Sequence, residues 1–167
     1  MSIKIIYSDE MGGVKTVSEA ISYSLNKNNI NSKIFNLKDV KGNFFIRAFK
    51  VLNKFVGNKD SVFLLQHFDA IFLGFFLRFL GCSKLVNVVH TDLLSYYESN
   101  GFFKKTILRF VFFLLKNQIV IFVSKEAEVK ARKKFKLKKT STIYNVFDFD
   151  VLSKPKRQKS INIVLGS

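Results

Sequence analysis

Six short apolar runs are spaced along this chain, and between them the apolar residues fall three and four apart. That alternation constrains the fold more than any other feature. Ile3–Tyr7 (IKIIY) and residues 32–37, 61–66, 84–89, 118–123 and 141–146 read as strands. Near-continuous apolar runs of this length cannot leave one side in water, so they belong in a sheet covered on both faces. Val17, Ala20, Ile21, Ser24 and Leu25 recur at helical spacing and predict a helix over residues 15–28. Residues 44–56 are helical by the same test, with Phe45, Phe49, Leu52 and Val56 on one side. A helix over residues 69–80 takes Asp69 as its cap, and a long apolar helix fills residues 102–116. Ser124 is a good N-cap, with Glu126 and Glu128 in a first turn whose dipole favours carboxylates, and that helix runs to about residue 135. Strand and helix in strict alternation predict an α/β fold: a doubly wound, mainly parallel, Rossmann-like sheet with helices on both faces.

A chain of 167 residues that is 48% hydrophobic suits one domain with a sizeable core and excludes intrinsic disorder. One Pro, eight Gly and a single Cys exclude collagen and a disulfide scaffold. Lone Cys82 fits a reducing cytoplasm, and the start MSIKIIYSDE lacks the pattern of a signal peptide. Residues 61–82 are interrupted by Gln66, His67, Asp69 and Arg78, and residues 107–115 contain Arg109 and are short of a span. Both read as buried segments of a soluble fold, and the aromatics read as lying mostly in strands and on buried helix faces. Residues 1–150 form the domain, and residues 151–160, with the one Pro and four basic side chains, form a linker. Residues 161–167 look like the first strand of a second domain.

In a doubly wound sheet ligands bind beyond the carboxyl ends of the strands. After the first strand come Gly12 and Gly13, leading into a helix. Such a pair lets a backbone approach a phosphate or sugar at a helix N-terminus, and serves a tight turn equally well. It matches neither G-x-G-x-x-G nor a phosphate-binding loop ending in Gly-Lys-Ser/Thr. His67 follows the third strand and His90-Thr91-Asp92 follows the fourth, so both histidines fall at the ligand edge. His90 there suits a hydrogen bond to a sugar hydroxyl or phosphate, or proton exchange near neutral pH. Nothing clusters as a zinc site and no G-x-S-x-G elbow occurs.

The chain carries 28 Lys and Arg against 12 Asp and Glu, a net charge of +16. Residues 101–139 hold twelve basic and two acidic side chains. Arg47, Lys50 and Lys54 form one helical stripe, and Lys105, Arg109 and Lys116 another. Basic amphipathic helices suit an anionic bilayer surface, and a plain solvated face has the same pattern. Nucleic acid is the other anionic partner, but no recognition motif is legible.

The order of these features resembles the N-terminal domain of retaining family 4 glycosyltransferases of the GT-B fold, which build bacterial capsule, O-antigen and exopolysaccharide. The residues carrying the resemblance are Gly12-Gly13-Val14, Val88-Val89-His90-Thr91-Asp92, Ile121-Phe122-Val123-Ser124-Lys125 and Ile143-Tyr144-Asn145 with Asp148. The family's usual Gly after the Asn is Val146 here. The resemblance implies an acceptor-side half of an enzyme that moves a sugar from a nucleotide-sugar to a lipid-linked or polysaccharide acceptor. A separate C-terminal domain or subunit would bind the donor, and this half alone would have little or no activity. It implies backbone contacts from Gly12 and Gly13 to the donor's phosphates or sugar, and a catalytic contact from His90 to the transferred sugar; His67 and Asp92 are further substrate-binding candidates by their place after strands. It implies no cofactor or metal, no nucleic-acid partner, and a cytoplasmic place at the inner face of the plasma membrane. The two other readings are a non-catalytic partner of a split transferase and a basic nucleic-acid binder.

Overall fold

The computed structural model describes residues 2–8, 13–90 and 97–144. Six strands and five long helices alternate: β1 (Ile3–Tyr7), α1 (Gly13–Lys27), β2 (Ser32–Asn36), α2 (Phe44–Phe55), β3 (Val62–Gln66), α3 (Phe68–Phe79), β4 (Leu85–Val89), α4 (Phe102–Leu115), β5 (Ile119–Phe122), α5 (Lys125–Phe135) and β6 (Lys139–Thr142). A 3-10 turn, Leu37–Asp39, follows β2. The strands form one sheet in the order β2-β1-β3-β4-β5-β6, and every pairing is parallel. This is the expected α/β, Rossmann-like architecture.

Connection handedness then distributes the helices. The step from β1 to β2 runs one way across the sheet, and every later step runs the other way. Right-handed crossovers therefore put α1 on one face and α2 to α5 side by side on the other. The main core lies under the four-helix layer, where Phe63, Leu65, Leu85, Val120 and Phe122 of the sheet meet Phe55, Leu73, Leu77 and Phe112 of the helices. Gly74 lets α3 sit low there, because a Cβ at this position would run into Leu65 Cδ1. On the opposite face Ile5, Tyr7 and Val88 are buried, and α1 fastens to β2 through a buried Ser22–Ser32 hydroxyl pair 2.7 Å apart.

Local signals account for most element ends. Asn43 caps α2 by accepting from the Ile46 amide at 3.0 Å, and Ser124 caps α5 by accepting from Ala127 at 3.4 Å. Asp69 does not cap α3. His67 occupies that position with no side-chain cap bond, and Asp69 stands in the first turn, where the Ser8 hydroxyl donates to it. The last strand is Lys139–Thr142, two residues before its expected start and ending short of Ile143. β5 is only four residues long, so an edge partner pairs over four, from Ile119–Lys139 to Phe122–Thr142. Two Thr suit such an edge, and both hydroxyls are tied to Glu128 of α5. Residues 145 and 146 lie outside the described residues, as do the linker and the strand expected after it.

Spacing puts Phe45, Phe49, Leu52 and Val56 on one side of α2; the structure buries Ala48, Val51 and Phe55, packs Leu52 partly against them, and does not bury Phe45, Phe49 or Val56. Phe55 is held edge-to-face by Phe35 at 4.8 Å and Phe63 at 5.2 Å, which fixes which stripe turns inward. Nor are the helix aromatics mostly buried: Phe49 is 66% exposed, Phe79 74%, Phe103 76% and Phe113 70%. Among the described residues no helix is long and apolar enough to cross a membrane.

Candidate functional site

The chain leaves β1 towards β2 on one side and returns to β3 on the other, so β1 and β3 are neighbours whose continuations part. In open α/β sheets that divergence opens a crevice beyond the carboxyl ends of the strands. Ser8 follows β1 there, Gln66 ends β3 and is followed by His67, and His90 follows β4.

Parallel register sets the directions. Leu65 pairs with Asn87 and Gln66 with Val88. Leu65 faces α3, so Gln66, Val88 and His90 all point to the α1 side. The result is a contact between two chain-distant side chains: His90 Nε2 lies 2.8 Å from Gln66 Oε1. A carbonyl oxygen can only accept, so Nε2 carries the hydrogen and Nδ1 is left as an acceptor. Gln66 is wholly buried, and its Nε2 amide has no hydrogen-bond partner among the described residues. Burial, and then the nearby His67 charge, push the His90 pKa below the usual imidazole value. His90 is therefore neutral at neutral pH.

His67 links this pair to the other face of the sheet. It is exposed, and its backbone sits at φ 76° and ψ 154°, a region costly for a residue with a Cβ. That turn lets the chain end β3 and enter α3 at once. It brings Asp69 to Ser8, whose hydroxyl donates to Oδ2 at 2.9 Å. The rim thus presents a buried amide donor, a neutral imidazole, an exposed imidazole and a hydroxyl–carboxylate pair.

Two of the expected site residues, His67 and His90, share the rim, and Gly13 is the first residue of α1. A Cβ on Gly13 would meet nothing within 4 Å, so protein packing does not demand glycine there. Gly12 and Asp92 lie outside the described residues. The rim's hydrogen bond also changes the expected chemistry of His90: its donor is occupied by Gln66, and what it has left to offer is a base. Gln66 and Ser8 were not anticipated. The signal for Gln66 was present, a single amide ending the run VFLLQ.

The basic residues stand elsewhere and differ among themselves. Lys50 and Lys54 are exposed on α2, whereas Arg47 is half-buried with its Nε unpartnered among the described residues. Arg109 donates to the Tyr97 hydroxyl at 2.6 Å, and the Lys105 ammonium lies 5.8 Å from the Tyr97 ring centroid. Those two cations are engaged with a buried ring. Lys116 closes α4 and lines a groove of about 620 Å³ at the end of the sheet away from the rim.

Among the described residues no three His, Cys, Asp or Glu side chains gather in a way that could hold a metal ion. No protein-family model matches the chain, and no curated protein matches it.

Proposed function

We propose that this chain is the acceptor-side half of a glycosyltransferase that uses a nucleotide-sugar donor and a lipid-linked or polysaccharide acceptor. The observation that carries the reading is the buried Gln66 amide, a donor without a partner among the described residues, held in place by His90 at the switch point of the sheet. An unpaired buried donor costs about 1–3 kcal/mol, and a ligand oxygen that accepts from it recovers that cost. A sugar is dense in such oxygens. The Nδ1 of a neutral His90, without a hydrogen-bond partner among the described residues, accepts from a sugar hydroxyl, so the pair reads both polarities of a polyol. The N-terminus of the long helix α1, opening at Gly13, favours a diphosphate beside it. Catalysis would come from stabilising the leaving diphosphate and a developing oxocarbenium more strongly than the bound donor. In this reading a second domain or a separate subunit supplies the remaining donor contacts.

The test is binding first, transfer second. Nucleotide-sugars titrated into the labelled chain should move the Gln66 side-chain amide and the His90 ring resonances, and Gln66→Leu should abolish the shift while the fold survives. The purified chain alone should transfer sugar slowly or not at all, and a co-expressed donor-binding unit should restore transfer. Unmoved Gln66 and His90 resonances across a panel of nucleotide-sugars would overturn the reading.

A further inference from the structure

The outer side of the four-helix layer carries a second surface, independent of the rim. α2, α3 and α4 hold fourteen of the 20 Phe in the chain. Phe45 and Phe49 of α2, Phe79 of α3, and Phe103, Phe110 and Phe113 of α4 are all exposed by roughly half or more. Ring contacts join two of the rows: Phe75 meets Phe79 at 4.8 Å and Phe110 at 6.4 Å. Each such side chain would gain about 2 kcal/mol on leaving water, and contiguous apolar surface of this kind marks an interaction site.

Charge identifies the partner. The only carboxylate in these three helices is Asp69, and it is held by Ser8 at the rim. Their charged side chains are otherwise all cations, Lys50 and Lys54 on α2, Arg78 on α3 and Lys104 on α4 standing exposed, and Arg78 is the one that shares its surroundings with the rings. Where α3 and α4 end, a groove of about 620 Å³ is lined by Phe75, Phe79 and Phe113 together with Arg78, Lys116 and Lys138, and no carboxylate lines it. We infer that this face docks on an anionic lipid bilayer, its rings entering the headgroup layer and the groove's cations holding lipid phosphates. Long basic side chains keep their charge at the interface while their stems lie along apolar surface, and each contributes about 1 kcal/mol near anionic lipid. A second copy would set these cations against its own. A nucleic-acid strand would leave the exposed aliphatic members, Ile46, Val56 and Ile107, without a partner.

The inference does not depend on the transferase reading, and its test reads neither nucleotide nor sugar. The chain has no Trp, so a single introduced one reports without background. Phe113→Trp in the full chain should blue-shift on vesicles of phosphatidylcholine with 30% phosphatidylglycerol and be quenched by brominated lipid, while Tyr23→Trp on α1 stays unquenched. Phe103→Ser with Phe113→Ser should weaken partitioning at least tenfold, and Arg78→Gln with Lys116→Gln at least threefold on the anionic vesicles alone. Equal binding to pure phosphatidylcholine, quenching at Tyr23→Trp, or wild-type partitioning by the Phe pair would overturn it. So would displacement of the vesicles by a 20-mer of dT, or by inorganic phosphate but not by chloride at the same ionic strength. Those two results would assign the face to nucleic acid or to free phosphate.

Discussion

His90 and Gln66 lie 24 positions apart in the chain, yet their side chains meet at 2.8 Å because β3 and β4 are neighbours in register. The contact fixes three things together: the tautomer of the imidazole, the orientation of the amide, and which of their polar atoms are left without a partner among the described residues. A buried amide held by one partner is poised for another.

The first consequence is a pH dependence. Burial and the neighbouring His67 lower the His90 pKa in the folded protein. As pH falls, the unfolded chain takes up this proton first, so the stability linked to neutral His90 is full above about 6.5 and is lost as pH drops through that value towards the lower folded pKa. NMR titration should show His90 titrating below the ordinary value. Gln66→Glu places a carboxylate against Nε2 and should raise it, whereas Gln66→Leu should not. A His90 that titrates as in a free peptide contradicts its burial at the rim.

Glu128 gives a second and deeper dependence. Its carboxylate is buried between α5 and β6 and receives Lys125 at 2.6 Å, Thr142 at 2.6 Å and Thr140 at 2.7 Å. Those hydrogen bonds, led by Lys125, hold its pKa at about 2, against 4.5 for a free glutamate. The stabilisation is present above the unfolded value and is lost as pH falls from about 4.5 to about 2; it amounts to up to about 3 kcal/mol. Urea midpoints measured at pH 7, 4 and 3 should fall steeply for wild type and much less for Glu128→Gln. The variant should already be weaker at pH 7, since the charge that Lys125 meets is gone and one of the two acceptor oxygens becomes an amide donor.

His67 should trade stability for its position. A side chain at φ 76° and ψ 154° costs about 1–3 kcal/mol, and the extra freedom that glycine has when unfolded costs about 1. His67→Gly is therefore expected to raise the melting temperature, while His67→Ala, which keeps the strain, lowers it or leaves it unchanged. Both should weaken nucleotide-sugar binding if the rim is the site. A drop in melting temperature for His67→Gly would show that the ring itself holds the turn.

Cys82 offers a simple probe of integrity. It is 1% exposed, and burial raises its thiol pKa more than nearby Lys59 lowers it. Thiolate is the reactive form, so disulfide reagents should label it at pH 7.5 at least a hundredfold more slowly in the native protein than in urea. Fast native labelling would mean that the turn between α3 and β4 opens readily.

Much of the sheet was readable in the sequence because β1, β3, β4 and β5 are apolar at nearly every position, and apolar runs of four to six residues fit little else. β6 was displaced because KTST carries no apolar run; its place depends on Glu128 and on the length of β5, both tertiary facts. The inward sides of α2 and α4 were also hidden. Both helices carry large apolar residues on two sides, Phe45 and Phe49 against Val51 and Phe55 in α2, and spacing alone does not say which pair meets a sheet. The rim histidines were located by their place after strands. In the sequence Gln66 reads as a polar interruption of an apolar segment, since its meaning appears only when His90 arrives beside it.

Gly74 sits in the core and carries no chemistry of its own. A Cβ there would run into Leu65 Cδ1 and meet every other neighbour at ordinary contact distance, so the seat of α3 is adjusted through the rotamer of one leucine. Gly74→Ala would force that leucine to turn, and the next residue along β3 is Gln66, so a single methyl in the core would be felt first at the rim.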